Sequence, residues 1–153
     1  MEFKLSNLNE DTKFLKLLSI DTNICSSAQN KSLEDFFNYL KFNNVVHKES
    51  FMLYEVDEGD NCIATVVLNK YGLIFALCVK TLDVVNEGFV KFLIKNLKEV
   101  FKDTDVKKLS IYLKQKGLAA FNAAGFRNIK CICDMEQRTS LNGYSYLLEY
   151  DIS

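Results

Sequence analysis

Carboxylates gather in the stretch YEVDEGDN at Glu55, Asp57, Glu58 and Asp60, one histidine stands at His47, and two thiols lie two apart at Cys131 and Cys133. An acid beside a reacting amine is what a general base requires, a lone imidazole titrating near neutrality serves the same end, and paired thiolates ligate metals. Each group also has a plainer reading. The four acids surround Gly59 in an expected hairpin turn and read as a solvated turn. His47 reads as an exposed loop residue. Cys131 and Cys133 point to one face of an expected strand and read as core side chains, because two thiolates and one histidine make a poor zinc set. The sequence holds no Gly-x-Ser-x-Gly, no P-loop and no His-x-x-x-His.

The elements that would position these groups follow from periodicity. Residues 2–7 read as a short strand and 10–20 as a helix with Phe14, Leu15, Leu17 and Leu18 on one face. Ser32 and Asp35 mark a helix N-terminus whose buried side is Phe36, Phe37, Tyr39 and Leu40. FMLYEV (51–56) and CIATVVL (62–68) flank a Gly- and Asp-containing turn and predict an antiparallel hairpin. LIFALCV (73–79) is apolar throughout, the mark of a strand covered on both faces. From 86 to 101, Phe89, Val90, Leu93, Ile94, Leu97, Val100 and Phe101 recur at helical spacing opposite Lys91, Lys95, Lys98 and Glu99. KLSIYL (108–113) is a strand, and KGLAAFNAA (116–124) a short helix stopped by Gly125. Two alternating strands follow. Ile129, Cys131, Cys133 and Met135 share a face of the first; Tyr144, Tyr146, Leu148, Tyr150 and Ile152 share a face of the second. The tyrosine row is a candidate dimer interface or the closure of the sheet.

This order, β-α-α-β-β-β-α-β-α-β-β, predicts one α/β domain over 1–153, with a mixed, predominantly antiparallel sheet and helices on both faces. The charge of 19 Lys+Arg against 20 Asp+Glu, without blocks of like charge, leaves no electrostatic footprint for nucleic acid or an anionic membrane. No apolar stretch is long enough for a signal peptide or membrane span, and the five cysteines include no CxxC pair. A cytoplasmic, reduced setting is the expectation.

LIFALCV, the helix VNEGFVKFLIKNL, the strand KLSIYL and the segment AAFNAAGFR together resemble the GNAT superfamily of acetyl-CoA-dependent N-acetyltransferases, over nearly the whole chain. The resemblance implies a splayed strand whose main chain, at Leu77, Cys78 and Val79, holds the pantetheine of acetyl-CoA. It implies a loop and helix start, Val85, Asn86, Glu87, Gly88, Phe89 and Val90, whose free N–H groups hold the pyrophosphate. The acceptor would be a small-molecule or protein amine. Gly125 and Phe126 match the end of the family's late Tyr-x-x-x-Gly-Phe segment.

Two departures bear on activity. Of the family's Arg/Gln-x-x-Gly-x-Gly/Ala loop only Gly88 is kept: Val85 replaces Arg or Gln, and Val90 replaces Gly or Ala, where a β-branched side chain would obstruct phosphate. Phe121 stands where many members carry the tyrosine that protonates the thiolate, leaving Cys78 or Tyr112 as substitutes, each also readable as core or strand surface. Three readings follow: an acetyltransferase, a GNAT-like binding or assembly module without catalysis, and an unrelated α/β domain. The last would show no gap between strands 73–79 and 108–113. For the loop, an ordinary helix start capped by Asn86 is the plain alternative.

Overall fold

Alternation and turn chemistry build the first half of the sheet. A computed structural model describes residues 1–6, 23–27, 33–133 and 144–153. The expected helix over 10–20, the N-terminal signal at Ser32, and Met135 lie outside the described residues. Strand β1 (Glu2–Ser6) pairs antiparallel with β2 (Met52–Glu58), and β2 with β3 (Asn61–Leu68), the hairpin turning at Gly59 with φ +64°. Strand β4 (Leu73–Val79) adds antiparallel to β3, and β5 (Lys108–Leu113) parallel to β4. Strands β7 (Tyr144–Asp151) and β6 (Arg127–Cys133) complete the order β1-β2-β3-β4-β5-β7-β6.

Helices cover both faces, as the unbroken apolar run of β4 requires. On one side α1 (Leu33–Val46) sets Phe36, Phe37 and Leu40 against Leu53, Val67, Phe75, Ala76 and Cys78. On the other, α2 (Glu87–Phe101) and α3 (Leu118–Ala123) set Leu93, Leu97 and Phe121 against Ile74, Leu77, Val79 and Ile111. Phe75 and Ala76 are neighbours yet serve the same cluster. A register shift in the β3–β4 ladder, from Val67↔Ala76 to Leu68↔Ile74, inserts one extra residue there and breaks the alternation.

The last strands depart from expectation. Cys131 is exposed, as is every residue from Arg127 to Ile132, with Ile129 43% and Ile132 37% accessible, so neither face of this stretch of β6 is core. Strand β6 is an edge strand that contributes no described residue to either core cluster, and its ladder also slips between Asn128 and Lys130. Cys25 and Cys78 are buried and Cys62 half-buried; all four described thiols are free. On β7, Leu148 is buried and Tyr146 and Tyr150 pack against the core, closing the sheet. The side chain of Tyr144 lies outside the described set.

Gly72 sets where β4 meets β5. Its φ is +88°, and a Cβ there would meet Lys108 O at 2.5 Å, while its own carbonyl accepts from Ser110 N at 3.0 Å. Gly72→Ala is therefore expected to lower unfolding free energy by about 1–3 kcal/mol through backbone strain alone, with the clash adding to it. Urea unfolding followed by circular dichroism reads this directly, and a loss below about 0.5 kcal/mol would mean the turn relaxes freely.

Candidate functional site

The parallel ladder between β4 and β5 lasts for two residue pairs, Leu73↔Ser110 and Ile74↔Ile111, and the strands then diverge. A gap therefore exists, contrary to what an unrelated domain with a continuous sheet would show. Residues Asn23–Ser26 lie in it. Ile24 N donates to Leu77 O at 3.0 Å and Ser26 N to Tyr112 O at 2.8 Å, while Lys114 N donates to Ile24 O at 2.8 Å. Asn23 is 8% accessible, and its Oδ1 accepts from both Leu77 N (3.2 Å) and Cys25 N (3.0 Å). Lys114 Nζ donates to Asn23 O at 3.1 Å. Sequence reading missed Asn23 because a single asparagine in a polar loop carries no periodic signal.

Past the gap the chain runs through a 3-10 turn, Leu82–Val84, into α2. Asn86 caps that helix: its Oδ1 accepts from Phe89 N at 2.9 Å. The N–H groups of Glu87 and Gly88, ahead of that bond, have no acceptor among the described residues and stand at the positive end of the helix dipole. Gly88 is exposed, and a Cβ there would meet only Asn86 Oδ1 at 3.4 Å. Glu87 is turned toward Lys91, 3.5 Å away, rather than over the amides. Val85 is half-buried against the core. The expectation that Val90 obstructs an anion cradle fails: Phe89 and Val90 are 2% and 0% accessible, both in the core beneath α2. The helix must bury that face, so the β-branch points into the core, while the first amides point along the helix axis from its N-terminus.

On the α1 side of the sheet the carboxylates are not where a solvated turn would put them. Glu55 and Asp57 belong to β2, 8% and 4% accessible, while Glu58 and Asp60 are exposed at the turn. Glu55 lies opposite Thr65 on β3, and Thr65 opposite Cys78 on β4, so the three form one row across the sheet. Ser6 Oγ donates to Glu55 Oε1 at 3.3 Å, and Lys4 Nζ pairs with Asp57 Oδ2 at 3.3 Å. Asp57 Oδ1 and Thr65 Oγ1 are buried without a hydrogen-bond partner among the described residues. Glu55, Asp57 and Cys62 bring ligand atoms within 4.8 Å of one another, and Lys4 supplies the counter-charge. Burial first, then the charges of Glu55 and Asp57, push the Cys62 thiol up to about 12.

The remaining candidates fall away from the gap or into the core. His47 is exposed beyond the end of α1, its N–H donating to Asn43 O. Phe121 is fully buried, edge-on to Phe126 at 5.1 Å. Cys78 is buried under α1, and Tyr112 is half-buried on β5 with its carbonyl bound to Ser26. No helix among the described residues is long and apolar enough to cross a membrane.

No protein-family model and no curated protein matches the sequence. Solved structures do match in fold. An IAA acetyltransferase from Bacillus cereus superposes with a TM-score of 0.67 at 16% identity, covering 98% of each chain. A Bacillus subtilis acetyltransferase in complex with CoA gives 0.67 at 19%, covering 97% of each. A GNAT family acetyltransferase from Elizabethkingia anophelis with acetyl-CoA bound gives 0.64 at 18%, covering 98% of this chain and 97% of that one. The chain has the GNAT fold.

The thiols offer a check on this burial. At pH 8, with Ellman's reagent, Cys131 is expected to react fast, while the buried Cys25 and Cys78 and the raised-pKa Cys62 stay protonated or shielded and react only on unfolding. Cys131→Ser should remove one fast equivalent; an unchanged fast phase would contradict the placement of β6.

Proposed function

We propose that the chain is a divergent GNAT N-acetyltransferase that moves an acetyl group from acetyl-CoA to a small-molecule or protein amine. The observation that carries the reading is one juxtaposition: an internal strand edge that leaves its neighbour, followed directly by a helix start with open N–H groups. Main-chain groups of Leu77 and Val79 would bond the pantetheine amides as an added strand does. The Glu87 and Gly88 amides and the α2 dipole would hold the pyrophosphate. Bound acetyl-CoA supplies an activated acyl thioester.

The acceptor would approach from the α1 face. There the row Glu55–Thr65–Cys78 leads toward Leu77, with Glu55 roughly 10 Å from the β4 backbone by strand spacing. Glu55 would take the proton of the acceptor ammonium, and Asp57 would add negative charge that favours a cationic amine. Among the described residues no tyrosine takes the place of Phe121 as acid, so solvent would protonate the leaving thiolate and positioning would carry the rate. The four described thiols are free, in keeping with a reducing, cytoplasmic setting.

A second reading, a binding or assembly module that has lost catalysis, is favoured by one fact: Asn23 and Ile24 already occupy both main-chain groups of Leu77. Acetyl-CoA titration followed by an amine screen separates the two. Binding without transfer to any amine would favour the module.

Two variants test the residue roles. Gly88→Trp has room to fold but would cover the open amides, so the KM for acetyl-CoA should rise at least about tenfold; an unchanged KM would mean the phosphate lies elsewhere. Glu55→Gln should lower kcat by about 100-fold and leave CoA affinity unaltered, because it acts on the acceptor's proton alone. A parallel loss of CoA binding would point to a structural role instead.

A further inference from the structure

The gap between β4 and β5 is filled by the chain itself, and the way it is filled imitates a ligand. An edge strand's unpaired N–H and C=O groups are costly to bury unsatisfied. Here the Asn23 side-chain amide oxygen accepts from Leu77 N, and the next residue's N–H, that of Ile24, donates to Leu77 O. One acceptor and one donor are presented to a single strand residue, as a chain of secondary amides would present them. Val79, two residues on, offers its own groups to the same gap by strand alternation.

We infer that Asn23–Ser26 is an internal surrogate for the pantetheine arm, seated on the same Leu77 groups, and that coenzyme and segment exclude one another. The inference rests on the acetyl-CoA reading above and concerns regulation of that same site. Coenzyme bonds Val79 and the α2 amides first and then displaces the Asn23 amide and the Ile24 N–H from Leu77. The apparent affinity is thus the intrinsic affinity reduced by the fraction of molecules in which the segment has withdrawn. The segment is held by more than Leu77, since Ser26 N bonds Tyr112 O, and Lys114 bonds Ile24 O and Asn23 O. That anchoring keeps it in place without ligand and returns it when coenzyme leaves.

Asn23 is the positioning residue. Asn23→Ala removes the shared acceptor of Leu77 N and Cys25 N and nothing else that bonds β4. Isothermal titration of CoA is expected to show at least about fivefold tighter binding for Asn23→Ala than for the wild type. Hydrogen exchange on the wild-type protein supplies a readout independent of any variant. Without ligand, the amides of Ile24, Ser26 and Leu77 should be protected. With saturating CoA, those of Ile24 and Ser26 should exchange at least about tenfold faster while Leu77 stays protected, its partner exchanged for the coenzyme.

Binding of CoA only to Asn23→Ala would support the inference in its strongest form. CoA binding with Ile24 and Ser26 still protected would overturn it while leaving the acetyltransferase reading intact. Failure of both proteins to bind CoA at millimolar concentration would overturn the inference together with that reading, since the segment would not be what keeps coenzyme out.

Discussion

The parallel pairing of β4 with β5 ends after two residue pairs, and most of what is distinctive in this chain depends on that ending. A strand in the middle of a sheet normally satisfies both its edges. Once β5 turns away, the main chain of Leu77 needs partners from elsewhere, and Asn23 and Ile24 supply them from a distant part of the sequence. The divergence starts from a crowded point: Gly72, buried against Lys108, lets the strands meet at their first residues.

The two hydrophobic clusters turn this local opening into a directional one. Leu77 and Val79 belong to the cluster under α2, and Cys78 to the cluster under α1, so β4 is clamped through alternating side chains while its backbone stays at the gap. Burial of Phe89 and Val90 by the same cluster fixes the rotation of α2 about its axis and keeps both side chains away from the first amides of the helix, which point along the axis from its N-terminus. The substitutions that a motif comparison counts as losses are therefore compatible with an open helix N-terminus, whose backbone N–H groups are able to hold an anion without basic side chains.

The opposite face carries the charge. Two acids on one strand, separated by a single residue, sit nearly out of water with Lys4 as an exposed counter-ion and with Asp57 Oδ1 and the neighbouring Thr65 Oγ1 lacking hydrogen-bond partners among the described residues. Such an arrangement is costly in a core and is consistent with a site that receives a positively charged group. The open amides at the start of α2 and the acidic row belong to opposite faces of the sheet.

Strong periodicity made much of this legible in advance. The capped helix from Asn86, the hairpin around Gly59, the doubly covered strand 73–79 and the Gly125 stop are all local matters of side-chain spacing or backbone freedom, and each could be read from neighbours in the chain. Placement across the fold could not. Whether Glu55 and Asp57 stand in a turn or on a buried strand depends on how far the β2–β3 ladder runs, and the outward Cys131 depends on β6 lying at an edge with a slipped register. Val90 reads as an obstruction along the chain and proves to be core in space. Above all, the pairing of Asn23 with Leu77 joins residues 54 apart in sequence. The sequence by itself determined the elements and the polarity of each helix end, because those arise from interactions within a few residues. Only the tertiary structure decided what fills the gap in the sheet, because the unpaired backbone of β4 takes whichever segment the fold brings to it.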